Sequence, residues 1–229
     1  MGVPPTAGIA QTRAAEAAVA AETAVSQLWD DIIGTDGISM RERILATLPD
    51  LINAHRESAA GFASDWYTAT RPAGAPSFSP IMADALTQEN LRNKVFNALE
   101  PLFIKGEEKN YTLARHNIEG VAVDSVMDGF RDTISYSSDK DEAVDHWVRV
   151  VEPGACGYCR DLGGDIYHSA GDFKRHTHCK CSNAPVFSDD YGTDNFLDLT
   201  PEEEQSLAFA QDDQEKLLAQ GIDELMSGR

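Results

Sequence analysis

The sequence predicts a mainly α chain: a helical, bundle-like N-terminal part followed by a small zinc-knuckle β module, α+β overall. Three observations predict it. Apolar residues recur at intervals of three and four from residue 9 to residue 134, the helical period. A β-rich run, Asp145-His-Trp-Val-Arg-Val-Val151, then breaks that rhythm. All four cysteines of the 229-residue chain fall between Glu152 and Phe187.

Residues 1–8, with Pro4 and Pro5, read as a loose arm. Residues 9–69 form a helical N-terminal region. It opens alanine-rich from Ile9 to about Ile33, with Val25, Leu28, Trp29 and Ile32 on one stripe. Gly34 to Gly37 ends this helix, and Ser39-Met-Arg-Glu42 is a capping box for the next. Ile44, Leu48, Leu51, Ile52, His55 and Phe62 run down one face towards Trp66, and Pro49 is expected to kink or divide the helix. His55 is a lone histidine on an apolar face, with no second ligand type near it in sequence, and reads as a core or boundary residue.

Residues 70–80, with Pro72, Gly74, Pro76 and Pro80, read as a linker. A second helical region covers 81–140. In it Leu91, Val95, Ala98, Leu99 and Leu102 share a face, interrupted at Pro101 and ended by Gly106. Asn110 then opens a stretch in which Tyr111, Ala114, Ile118, Val121, Ala122, Ser125 and Gly129 recur at three and four. His116 lies off that stripe, beside Arg115 and Glu119, where solvent is expected. Residues 141–187 form the β module, with return strands at Asp165 to His168 and Ala184 to Phe187; His168 reads as an exposed strand end. Residues 188–229 are an acidic tail, twelve acidic residues against Lys216 and Arg229 for a net of −10. Thr200-Pro-Glu-Glu203 starts a terminal helix there, with Leu207, Gln214, Leu218, Ile222 and Leu225 on one face.

The charge balance, 38 acidic against 19 basic residues, gives a net of −19 and argues against sequence-independent binding to a phosphate backbone. The expected partner is a protein. No apolar run approaches bilayer length and the first residues lack a secretory pattern, so no membrane role is expected and the chain is expected to be made in the cytoplasm. Neither an internal repeat nor a glycine-rich phosphate loop is present.

The cysteines carry the chemistry. Cys156-Gly-Tyr-Cys159 is answered by His176-Thr-His178-Cys179-Lys-Cys181. Two cysteines two residues apart can turn both sulfurs to one point, with Gly157 supplying backbone freedom. Zinc takes four such ligands in a tetrahedron. Six donors compete for the four places: an all-thiolate set, or one in which His176 or His178 replaces a cysteine. His176, three residues before Cys179, reaches more easily than His178, which must swing back past the chain. Two disulfides would suit a secreted protein. A redox pair would need a strand before Cys156 and a helix after Cys159, where Asp161-Leu-Gly-Gly164 breaks a helix. So many soft donors predict a closed, structural site, since a catalytic zinc keeps one position open.

Cys156-x-x-Cys159, Leu162-Gly163-Gly164, Ile166-Tyr167 and His176-x-x-Cys179-x-Cys181 together resemble the C-terminal signature of the MuF-like minor head proteins of tailed bacteriophages. The motif covers about residues 147–187, behind a mainly helical region as in that family. The resemblance implies a minor capsid protein of the virion, associated with the portal protein and other capsid proteins at the capsid interior. It implies work in head assembly, DNA packaging or delivery, with packaged DNA at most an indirect partner. Metal roles pass to Cys156, Cys159, His176, Cys179 and Cys181, around one structural zinc per chain; His178 stands where the family commonly has a non-ligand. The runner-up is a capsid maturation protease, with Ser125, Ser135 or Ser137 as nucleophile and His116 or His146 as base, though no Gly-x-Ser-x-Gly elbow supports it. A third reading is a zinc adaptor with no phage connection.

Overall fold

An alanine-rich helix can pack its backbone close to its neighbours, and α1, Ala7–Ile32, does so. Ala10, Ala14, Ala18, Ala21, Val25, Leu28 and Ile32 are all buried at helical spacing. The computed structural model describes residues 6–33, 37–104, 108–163, 165–168 and 173–188. Most of the predicted arm and the acidic tail with its terminal helix lie outside the described residues.

The second helix, α2, spans Gly37–Thr70 and continues through Pro49 without dividing. The proline removes the donor that would bond the Leu45 carbonyl. Burial of Leu48, Leu51 and Ile52 around that point holds the helix together across the gap. Because α2 already begins at Gly37, the box Ser39 to Glu42 does not mark the helix boundary. A shorter helix, α3, covers Gln88–Ala98, capped by Thr87, whose side chain accepts from the Asn90 N–H at 3.2 Å. A 3-10 turn at Glu100–Leu102 follows.

The central element is α4, Tyr111–Ser138, opened by Asn110, whose side chain accepts from the Leu113 N–H at 2.9 Å. Its sequence shows one apolar stripe, yet Ala122, Val123, Ser125, Val126, Met127, Gly129, Phe130 and Arg131 are all buried. Helices cover it on one side and the sheet on another. At Gly129 a Cβ would stand 2.6 Å from the Arg56 carbonyl, so only glycine permits this approach of α2 to α4.

The proline-rich stretch after α2 has no regular structure up to Thr87, but it is laid against the helices. The N–H groups of Ile81, Ala83 and Leu86 donate to Ser137 Oγ, Thr133 Oγ1 and Asn53 Oδ1 at 2.9, 2.9 and 3.0 Å. Arg56 Nε donates to the Asp84 carbonyl at 3.0 Å. Side chains of α2 and α4 thus satisfy a backbone that has no ladder of its own.

Three antiparallel strands follow, β1 (Val144–Val150), β2 (Ile166–Tyr167) and β3 (Ser182–Phe187), in the order β2-β1-β3. β1 pairs with β3 from Val144↔Phe187 to Val150↔Ser182, with a register irregularity between Val144 and His146. Val148, Val150, Ala184, Val186 and Phe187 belong to the same core as the helices. The sheet is therefore supported by α4 and α1 as well as by anything bound at its knuckles. Asn183 Nδ2 ties β3 to α4, donating to the Arg131 carbonyl at 3.1 Å and to Ser135 Oγ at 2.7 Å.

Candidate metal centre

The pairing of Val150 with Ser182 puts the C-terminal end of β1 beside the N-terminal end of β3. Both cysteine knuckles hang from that one end. Beyond β1 the chain turns at Glu152 to Ala155, with the Ala155 N–H on the Glu152 carbonyl at 3.0 Å. Pro153 stands second and Gly154, at φ +85°, third, the pattern of a type II turn. The glycine this bend requires is therefore Gly154. Gly157 instead sits in α5, Gly157–Asp161, a single helical turn that presents Cys159 and follows Cys156. A strand does precede this knuckle and a short helix carries it, but the helix stops at Asp161.

The second knuckle bends at His176 to Cys179, where the Cys179 N–H reaches the His176 carbonyl at 3.1 Å. His176 Nε2 lies 3.1 Å from Cys159 Sγ and 3.3 Å from Cys156 Sγ. Cys159 Sγ lies 3.8 Å from Cys179 Sγ. The donor atoms of Cys156, Cys159 and His176 lie within 4.8 Å of one another, as do those of Cys159, Cys179 and Cys181. Five donors thus share one locus, with Cys159 common to both groups, and they could hold a metal ion. Cys159, Cys179 and Cys181 are buried with Ala155, while Cys156 and His176 form the outer edge.

The three buried thiols take up charge unequally. Cys179 is driven down to about 4, first by a hydrogen bond from the Cys181 thiol and then by the Arg131 guanidinium. Burial pushes Cys159 up to about 11, and the hydrogen bond to Cys179 pushes Cys181 up. A divalent cation is the species that lets several such sulfurs ionise together.

Arg131, from the middle of α4, was not legible as a site residue. Its Nε donates to the Cys181 carbonyl at 2.8 Å and its Nη2 to the Cys179 carbonyl. Its Nη1 reaches Asp128 at 3.1 Å. One side chain from the helical core thereby fixes the Cys179–Cys181 arm of the second knuckle. The loop is also drawn to acidic groups on the helices: Arg175 meets Asp128 at 2.8 Å and Lys180 meets Glu22 at 3.5 Å.

His178 is turned to the helices. Its backbone adopts φ +61°, its N–H donates to Asp124 Oδ1 at 3.0 Å, and its ring stacks on His116 at 4.5 Å between centroids. A left-handed residue between His176 and Cys179 sends the two imidazoles apart. His116 is exposed, as its place off the stripe predicts, but it serves as the platform for His178. His55 is buried, with Nε2 unpartnered among the described residues. His168 is exposed and faces His146 edge-on at 6.1 Å.

Ser125, Ser135 and Ser137 are all buried in α4. Ser135 Oγ accepts from Asn183, and Ser137 Oγ from the Ile81 N–H. His146 Nδ1 pairs with Asp145 at 2.8 Å. Among the described residues no helix is long and apolar enough to cross a membrane.

No curated protein and no solved structure matches the chain. One family model does, that of the VG15 protein, a viral and phage gene-protein family, and it covers residues 6–197. That span takes in every described helix and strand and both knuckles, so the chain belongs to the VG15 protein family.

Proposed function

We propose that this phage protein is a minor head protein of the MuF-like type, a non-enzymatic component whose two knuckles are locked by one structural zinc ion. The observation that carries the zinc is the convergence of five nitrogen and sulfur donors at the junction of sheet and helices. Four of Cys156, Cys159, His176, Cys179 and Cys181 fill a tetrahedron and leave no open position for water. Zinc then supplies a cross-link between two loops that few apolar side chains hold.

The role in the particle rests on the family, on the resemblance of the knuckle motif and on the charge. A chain at −19 is suited to protein partners in a DNA-filled head, with portal and capsid proteins the proposed ones. A structural role is supported by the burial of the three candidate serines, since a protease must present its nucleophile to a polypeptide.

The full chain purified from phage-infected cells should carry about one zinc, the number one tetrahedral site holds, and should co-purify with portal-containing particles. Cys159→Ser should lose the metal and the thermal stability it confers. A variant keeping both, or a chain found only outside particles, would refute the assignment.

A further inference from the structure

Two guanidiniums are sealed beside the candidate metal centre, Arg131 and Arg149, each 2% exposed. Arg131 has a carboxylate, Asp128, which also takes Arg175. Arg149, on β1, has no carboxylate within ion-pair distance among the described residues. Its Nη2 donates to the Lys174 carbonyl and its Nε reaches the Tyr167 hydroxyl at 3.4 Å. Its Cζ lies 3.9 Å from the centre of the Phe173 ring, whose centre is also 5.4 Å from the Cζ of Arg131. Its Nη1 is buried with no partner at all among the described residues.

A guanidinium does not lose its proton inside a protein, so this charge persists. A buried charge needs an opposite one near it. Phe173, on which Arg149 stacks, packs against the cluster of Cys159, Cys179 and Cys181, and among the described residues the sulfurs of Cys179 and Cys181 are the groups able to supply the opposite charge. Glu152 lies near Cys179 and Lys180, a lysine that also meets Glu22 at 3.5 Å.

We propose, on the reading that this locus holds a divalent ion, that Arg149 is the counter-charge of a net-anionic metal–thiolate centre. Two thiolates with neutral donors would leave the centre uncharged and Arg149 unbalanced. Three give it one negative charge, and four give it two. Arg149 is a positioning residue: it supplies no ligand atom, and Phe173 aligns it. The same charge makes the site prefer sulfur-rich coordination over a set with two imidazoles.

The test uses the full-length protein. Zinc-edge X-ray absorption of the wild type should count three or four sulfurs. Competition with a chromophoric chelator should show Arg149→Met binding zinc about 10- to 100-fold more weakly, the usual effect of removing a group that supports a metal's ligands. Arg149→Lys, which keeps the charge and loses the planar fork, should recover most of that loss, which a purely packing role would not. An unchanged affinity in Arg149→Met, or a Lys variant as weak as Met, would each overturn the proposal, whereas a count of two sulfurs would refute the donor set on which it rests. If Arg149→Met does not fold, Arg149→Gln, neutral but still able to hydrogen-bond the Lys174 carbonyl, replaces it in the same competition, and an unchanged affinity there overturns the proposal. A wild type that takes up no metal would refute the metal reading itself, seen before any substitution is made.

Discussion

The Nε of Arg131 donates to the backbone carbonyl of Cys181 at 2.8 Å, across 50 residues of sequence. Through this bond the middle of the central helix holds the second knuckle in place for the first. The two halves of the donor set are thus assembled by the helical core and not by the sheet alone.

Arg131→Ala should leave two buried carbonyls without their donor and Asp128 with Arg175 alone. Breaking one partner of a buried charged network costs about 3–5 kcal/mol. The expected outcome is a loss of that size in chemical denaturation of the zinc-loaded protein. A change below about 1 kcal/mol, typical of a surface pair, would show that Arg131 does not hold the knuckle.

Gly120 tests the seat of the same loop. A Cβ there would stand 2.7 Å from Thr177 Cγ2 and 3.0 Å from His178 Nε2. Gly120→Val should push the loop off α4 and destabilise by about 1–3 kcal/mol, the usual cost of overpacking. Gly61, in α2, has open space around its Cβ position. Gly61→Ala should stabilise by about 0.5–1 kcal/mol, from the better helix propensity alone. Equal melting shifts for the two would refute this picture.

Asp141 closes the α2 end of the core. It accepts from Arg71 Nε at 2.6 Å and Nη2 at 2.9 Å, and from the Tyr67 hydroxyl at 3.1 Å. Burial alone would raise its pKa, but the Arg71 hydrogen bond, with those of Ala143 N–H and Tyr67, outweighs it and leaves the value below the ordinary one. A depressed carboxyl contributes stability above its unfolded pKa, roughly 3.9, and loses it as pH falls through the folded value. Asp141→Asn should therefore be less stable than wild type near neutrality, and the two melting curves should converge in acid. A gap that stays constant with pH would contradict the pairing.

His55 has a pKa lowered by burial below the ordinary 6.5. The unfolded chain then binds the proton more readily, so stability is full above about 6.5 and declines as pH drops towards the folded value. His55→Leu should remove that decline while leaving neutral-pH stability within about 1 kcal/mol, since it deletes an unpartnered buried nitrogen. Identical pH profiles for variant and wild type would exclude the effect.

What could be read from the chain is what short-range physics controls. The caps Thr87 and Asn110 act within three residues, and the stripe Leu91, Val95, Ala98, Leu99, Leu102 is buried as its spacing requires. The knuckle spacings likewise predict clustered donors, because a turn of four residues brings its ends together. Pro49 shows the limit: a local breaker is overruled when the flanking leucines are buried on both sides. Gly157 shows another, since the positive φ needed by the bend falls on Gly154.

By itself the sequence determined a helical body, a short antiparallel sheet and a cysteine-histidine cluster, because helical period, strand alternation and ligand spacing are properties of adjacent residues. Only the tertiary structure decided that α4 is surrounded, that Arg131 and Arg149 flank the sulfurs, and that His176 joins them while His178 stacks on His116. Those outcomes depend on which distant surfaces meet. A buried arginine looks like any other arginine until the backbone around it has closed.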